Sequence, residues 1–190
     1  MKLDKLRLVP LLLLGALPLL ARADDNTLGA YVAVGVGEGY VSVDSQGFSR
    51  GHVGWKVLAG LRPITYAGAE LEYADMGNPT GYTPFGAPAQ ARARGAGLFA
   101  VGYLPVPPAV DLFAKLGLAH MQTQYTVGSG SNCFSSSTGC PINSTSNRVG
   151  FGFGVQSGDY LPVAVRVEYE RLDSNEGYQS LASFSVLWKF

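Results

Sequence analysis

The chain has 190 residues, room for one domain and too few for two comfortable ones. Its 14 Lys plus Arg balance 14 Asp plus Glu, so it lacks the basic field that nucleic-acid binding requires. Only 15% of its residues are charged, against roughly 25% in soluble domains, while 25 Gly and 10 Tyr suit close-packed strands with little charged surface.

The N-terminus reads as an export signal. Lys2, Lys5 and Arg7 precede an apolar run over residues 8–20, and Ala21-Arg22-Ala23 supplies the small-x-small pattern of a cleavage site. The run is about 13 residues long where a spanning helix needs about 20. Residues 1–23 are therefore expected to be a cleaved signal peptide, and residues 24–190 a single domain.

Beyond residue 27 helical periodicity gives way to alternation of period two. Residues 29–41 set Val32, Val34 and Val36 against Tyr31, Ala33 and Gly35. Residues 52–62 set Val53, Trp55, Val57, Ala59 and Leu61 against His52, Gly54, Lys56, Leu58 and Gly60. Residues 66–74 oppose Ala69, Leu71 and Tyr73 to Gly68, Glu70 and Glu72. Over residues 94–103 the expected apolar face is Phe99, Val101 and Tyr103, with Arg94, Ala96 and Ala100 opposite.

The second half continues in the same way. Residues 111–122 set Leu112, Leu116 and Leu118 against Asp111, Lys115 and Gly117. Residues 148–156 set Val149, Phe151, Phe153 and Val155 against Arg148, Gly150, Gly152, Gly154 and Gln156. Residues 163–171 set Val163, Val165, Val167 and Tyr169 against Ala164, Arg166, Glu168 and Glu170. Residues 181–190 set Ala182, Phe184, Val186, Trp188 and Phe190 against Ser183, Ser185, Leu187 and Lys189. Eight segments of this length match strands that cross a bilayer at a tilt, so the fold class is all-β, an eight-stranded antiparallel transmembrane barrel.

The connections agree with it. Residues 62–65, 104–108 and 157–160 are short and turn-like, whereas residues 42–51, 75–91, 123–147 and 172–180 are longer. Every long connection then lies at one end of the barrel, the outward-facing end in outer-membrane proteins. A soluble barrel would turn a strongly charged face to water; here the less apolar face carries Gly, Ala and a few charges of both signs, which suits a narrow interior. Those charges are Lys56, Glu70, Glu72, Arg94, Lys115, Arg148, Arg166, Glu168, Glu170 and Lys189. Burial requires them to pair, and the expected pairing is Glu70 and Glu72 with Lys56 or Arg94, and Glu168 and Glu170 with Arg148 or Lys189. A conducting pore is the alternative, disfavoured because eight strands leave an interior about wide enough for side chains. Trp55, Tyr73, Tyr103, Tyr169, Trp188 and Phe190 are expected in interfacial girdles.

The closing run Phe184-Ser-Val186-Leu-Trp188-Lys-Phe190 resembles the C-terminal signal read by the outer-membrane barrel assembly machinery. Residues 59–63, 68–73, 113–117 and 165–170 resemble the membrane domain of OmpA-like small outer-membrane proteins, a likeness that covers essentially all of the mature chain. It implies an integral protein of a Gram-negative outer membrane, in contact with outer-membrane lipids and lipopolysaccharide, and with the assembly machinery during biogenesis. OmpA itself continues into a peptidoglycan-binding domain; no such segment follows Phe190 here, so cell-wall anchoring is not carried over.

Motifs for chemistry are sparse. Cys133 and Cys140, in a Ser/Gly/Asn-rich stretch of an exported chain, are expected to form a disulfide closing a surface loop. No His or second Cys pair stands nearby to complete a metal site. His52 has Asp44 and Ser49 close in sequence, the raw material of a triad, but proximity along the chain is weak support; His52 is taken as a rim residue and the protein as no enzyme. Gly35-Val-Gly37-Glu-Gly39 lacks the spacing of a dinucleotide site, so no cofactor is expected. The leading expectation is a structural or surface-recognition barrel acting through its long loops, with a low-conductance pore second and a lipid-modifying enzyme third.

Overall fold

The structure is a computed structural model that describes residues 29–43, 48–82, 86, 88–127, 140–157, 162–174 and 177–190. Among the described residues nine strands form: β1 (Gly29–Val43), β2 (Phe48–Ile64), β3 (Ala67–Asp75), β4 (Thr80–Tyr82), β5 (Pro88–Val106), β6 (Val110–Val127), β7 (Cys140–Ser157), β8 (Val163–Ser174) and β9 (Gly177–Lys189). Each pairs antiparallel with its neighbours in the order β3-β2-β1-β9-β8-β7-β6-β5, and a β3–β5 pairing closes the ring. The three-residue β4 pairs only with β5 above the point where β3 leaves it, so the barrel has eight strands and β4 is a rim extension. Closure removes every edge in the membrane zone, where water is absent to satisfy backbone groups.

The alternation dictates the two faces. Val34, Val36, Val53, Leu71, Leu98, Leu116, Leu118, Val149, Val167 and Phe184 lie exposed on the outer wall, Leu118 at 66%. No water-soluble chain would encircle itself with such side chains, whereas hydrocarbon accepts them without cost. Trp55 packs against Tyr73 and Phe153 against Tyr169 on the same wall, with ring centroids 5.6 and 5.7 Å apart. Phe190 follows the last strand residue, and its N–H still donates to Ala30 O at 2.9 Å, tying the chain end to β1.

One segment turns opposite to expectation. Phe99, Val101 and Tyr103 are buried in the lumen at 2%, 2% and 5% exposure, and Ala96, Leu98, Ala100 and Leu104 face outward. Cross-strand pairing decides this: Leu98 stands between Leu71 and Leu118, both outward, and a barrel cannot flip one strand without shifting its register. Two corrections follow. Arg94 shares the outward parity of Leu98 and is no lumen charge, and Tyr103 belongs to the interior and no aromatic girdle.

The strands also run further into the long connections than expected. Strands reach Val43 and resume at Phe48, reach Val127 and resume at Cys140, and reach Ser174 and resume at Gly177. Ladder pairing continues from Ala119↔Arg148 to Val127↔Cys140 although the outward residues there are polar. Outside the bilayer neither face needs aliphatic side chains, so the alternation fades while the hydrogen-bonded ladder persists.

Candidate functional site

Inside the barrel, the inward parity of four strands brings seven charges together. β2 contributes Lys56, β3 Glu70 and Glu72, β6 Lys115, and β8 Arg166, Glu168 and Glu170, all nearly inaccessible. Lys115 Nζ lies 2.6 Å from Glu72 Oε2, 2.9 Å from Glu170 Oε2 and 2.5 Å from Glu168 Oε1. Lys56 Nζ approaches the same three carboxylates at 3.4, 3.5 and 2.7 Å. Arg166 Nη1 donates to Glu70 Oε1 at 2.7 Å, and Tyr31 Oη donates to the same oxygen at 2.5 Å. β7 makes space for this by carrying glycine: a Cβ on Gly152 would stand 2.9 Å from Lys115 Cε.

Aromatic faces clad the cations. Lys115 Nζ sits 4.5 Å from the Phe99 ring centre, and the Arg166 guanidinium 4.3 Å from Phe113. Such contacts replace part of the lost hydration. Toward the short-turn end a second group forms: Arg62 Nη1 pairs with Asp111 Oδ2 at 2.8 Å, Gln156 Nε2 donates to the same oxygen at 3.2 Å, and Arg62 stacks on Tyr103 at 4.1 Å. Gln156 Oε1 in turn accepts from Arg166 Nη2 at 2.9 Å, linking the two groups.

Of the charges expected inside, seven thus meet, only partly with the partners expected: Glu72 does lie near Lys56, at 3.4 Å, but Glu70 takes Arg166, and Glu168 and Glu170 take Lys56 and Lys115. Arg148 lies buried nearer the long-loop end, where its Nε donates to Ser146 Oγ at 3.2 Å. Lys189 is half-buried at the opposite end, after Trp188. Tyr31, Tyr103, Arg62, Asp111 and Gln156 complete the network and were missed as members. The parity that placed Lys56 and Lys115 inside also placed Tyr31, Asp111 and Gln156 there, so the signal for those three was present.

Carboxylate oxygens of Glu72, Glu168 and Glu170 lie within 4.8 Å of one another, spacing that a cation could bridge. Two ammonium groups already stand among them, so the donor set is one of internal ion pairing. Above the charges, Val41, Ala74, Met76, Ala91, Ala93, Ala119, Met121, Tyr125, Leu172 and Leu181 form an apolar cluster to which six of the eight barrel strands contribute. Below them lie Tyr31, Ala33, Leu58, Ala164 and Leu187, and a group of Val101, Tyr103 and Phe113. The charges are therefore enclosed between apolar layers.

The remaining sequence candidates assemble no reactive centre among the described residues. His52 is exposed, with Nδ1 3.1 Å from Val53 O, and Asp44 and the Ser49 side chain lie outside the described residues. The expected Cys133–Cys140 pair and residues 1–23 also lie outside them, apart from the Cys140 backbone that opens β7. His120 is exposed on the outer wall, Nδ1 2.9 Å from Asn147 Oδ1. Phe184 and Trp188 face outward, at 49% and 54% exposure, with Val186 between them.

The family model for the outer membrane protein beta-barrel domain matches residues 9–190. No curated protein is similar enough in sequence to count as a relative. Among solved structures, the attachment invasion locus protein Ail of Yersinia pestis, in complex with the heparin analogue sucrose octasulfate, aligns with a TM-score of 0.59 at 14% identity, over 86% of this chain and 99% of its own. Neisserial surface protein A aligns with a TM-score of 0.59 at 18% identity, over 85% and 97%. The N-terminal barrel domain of Pseudomonas aeruginosa OprF gives 0.59 at 12%, over 86% and 98%. At these identities the neighbours speak for the fold alone, and they share its closed antiparallel barrel. An aliphatic outer wall, a lumen filled by paired charges and a family match over nearly the whole sequence lead to one placement: the chain belongs to the outer membrane protein beta-barrel domain family, as an OmpA-like integral protein of the Gram-negative outer membrane.

Proposed function

We propose that this barrel is a non-enzymatic scaffold that presents a recognition surface outside the cell. The observation that carries the reading is the extension of β5, β6 and β7 beyond the last outward aliphatic pair, Leu118 and Val149. Past that level the outward positions are His120, Gln122 and Gln124 on β6 and Asn147, Thr145 and Asn143 on β7, a polar, ladder-supported wall. Rigid presentation of polar side chains lowers the ordering cost of binding. The attachment invasion locus protein, by name an adhesin-type neighbour, supports a surface role, and its sulfated-sugar complex suggests anionic glycans as the first ligands to try.

In this reading residues 1–23 are the cleaved export signal, the Cys133–Cys140 disulfide restrains the loop between β6 and β7, and Phe184, Val186, Trp188 and Phe190 address the chain to the assembly machinery. Cells displaying the barrel should adhere to glycosaminoglycan-coated surfaces, and replacing Gln122, Gln124, Thr145 and Asn147 together by Ala should abolish adhesion without changing surface abundance. Adhesion no greater than that of cells lacking the protein overturns the recognition role. A pore is the second reading, favoured only by the lumen charges; steady planar-bilayer conductance altered by Glu72→Gln would establish it in place of a closed scaffold.

A further inference from the structure

We infer that β4 and the upper ends of β5 and β6 form a saccharide subsite in which an uncharged sugar ring stacks on Tyr82. The inference rests on the recognition role proposed above and deepens it, by naming the sugar chemistry that one part of the long-loop end fits. A change of register makes the site. From Asp75↔Arg94 to Thr80↔Gln90 the chain of β3 and β4 advances five positions while β5 advances four, so one extra residue is absorbed between the two pairings. Gly77 takes it up: its φ of 81° lies in the left-handed region, and its N–H donates to Asp75 Oδ1 at 2.9 Å. Beyond it the Ala91 N–H donates to Pro79 O at 3.0 Å, which docks β4 on β5.

An inserted residue flips the parity of the positions after it. Even-numbered residues face the lumen on β3, as Glu70, Glu72 and Ala74 do, and face outward on β4, where Thr80 pairs with outward Gln90 and Tyr82 with Pro88. Tyr82 is thereby left 68% exposed. Its surroundings are water, not hydrocarbon. Gln90 stands eight residues beyond Leu98, the last large aliphatic side chain on the outer face of β5, or about 27 Å along the strand. Even a tilted strand gains about 20 Å of height over that length, more than half of the ~25 Å apolar band of such barrels. Tyr82 therefore belongs to no interfacial girdle.

Thr80, Gln90 and Thr126 form one row across β4, β5 and β6, with Tyr82 and Pro88 directly above, and together they line a cavity of about 430 Å³. That volume falls in the range of small-molecule sites, roughly 300–1,000 Å³. Hydroxyl and carboxamide groups both donate and accept hydrogen bonds, as the hydroxyls of a sugar do, and neighbouring strands space them about 4.8 Å apart. The Tyr82 ring adds a flat apolar face with a polar tip, suited to the C–H face of a pyranose. Among the described residues no charged side chain lines the cavity, and Arg92, the next outward residue of β5, is engaged with Asp75 at 3.1 Å. A sulfate or carboxylate placed here would lose hydration without gaining a counter-charge, whereas an uncharged ring exchanges one set of hydrogen bonds for another. The occupant is a neutral hexose or N-acetylhexosamine of a glycan.

The test uses the full chain in phosphatidylcholine nanodiscs, with saturation-transfer NMR reading which oligosaccharides touch it: lactose, N-acetyllactosamine, chitotriose and maltotriose as the neutral set, and a heparin tetrasaccharide as the charged one. At least one neutral sugar is expected to bind, with the strongest transfer to the C–H protons of one ring face. Tyr82→Ala should weaken that binding about tenfold, the upper end of what an aromatic contact contributes, and Tyr82→Trp should preserve it. Thr126→Trp, which fills the cavity, should weaken it with Tyr82 intact. Heat-modifiable migration on gels checks that each variant is folded. The fourfold Ala variant at Gln122, Gln124, Thr145 and Asn147 should bind the neutral sugar as wild type does. Binding of none of the neutral set, unchanged binding in Tyr82→Ala, or loss in the fourfold variant overturns the subsite. None of these outcomes touches the adhesion reading, which fails only on the cell-attachment assay.

Discussion

Lys115 is the residue on which the lumen turns. Its ammonium faces Glu72, Glu168 and Glu170 at 2.5 to 2.9 Å, while the stem crosses a β7 that carries glycine at Gly150, Gly152 and Gly154. Breaking one partner of a buried cluster leaves the others uncompensated, so Lys115→Met should cost about 3–5 kcal/mol in urea unfolding from detergent micelles. Adding Glu170→Gln should recover part of that loss, because it removes one of the stranded carboxylates; no recovery would mean that Lys115 acts by packing alone. Buried pairs are screened little, so the loss should persist in high salt. Glycine at position 150 is equally constrained, since a Cβ there would stand 2.9 Å from Phe99 Cε1 and would also meet Leu172 Cδ2. Gly150→Val overpacks a site held by ladders on both sides and should cost about 1–3 kcal/mol in the same titration.

At the scale of elements, the inward and outward sets of seven strands were legible because one face was aliphatic and the other small or charged. β5 was not, since its outer face interleaves Ala96, Ala100 and Gly102 with Leu98 and Leu104 while its inner face carries Phe99, Val101 and Tyr103. Hydropathy alone orients that strand backwards; only the pairing of Leu98 with Leu71 and Leu118 sets it right, and pairing is a property of the assembled sheet. For the same reason the charge network was readable as a set of residues but not as a set of pairs: Glu70 meets Arg166, 96 positions away and across the lumen. The orientation has a direct check. In single-cysteine variants refolded into bilayers, Ala100→Cys should react with a lipid-soluble maleimide and Val101→Cys should not, and the reverse would restore the hydropathy-based assignment. Leu98→Arg, facing hydrocarbon, should destabilise by about 2–4 kcal/mol if it lies near the midplane.

The whole molecule separates assembly from stability. Its charge-paired interior and closed ladder hold the fold, while the last residue adds one backbone hydrogen bond, from Phe190 N–H to Ala30 O at 2.9 Å, and a half-exposed ring beside outward Trp188. A single such bond contributes only about 0.5–1.5 kcal/mol net, and an interfacial ring that stays in contact with lipid contributes little by burial. If Phe190 chiefly marks the chain for insertion, Phe190→Ser should change the unfolding free energy by no more than about that amount while markedly lowering the folded fraction delivered to the outer membrane in cells. The two quantities are measured on different samples: urea titration of refolded protein for the first, and the share of heat-modifiable barrel in isolated outer membranes for the second. Equal losses in both would make Phe190 an ordinary stabilising contact between β9 and β1. A loss in cells alone, reversed when the same variant is refolded directly into lipid vesicles, identifies the terminal aromatic as an address whose work is finished once the ring of strands has closed.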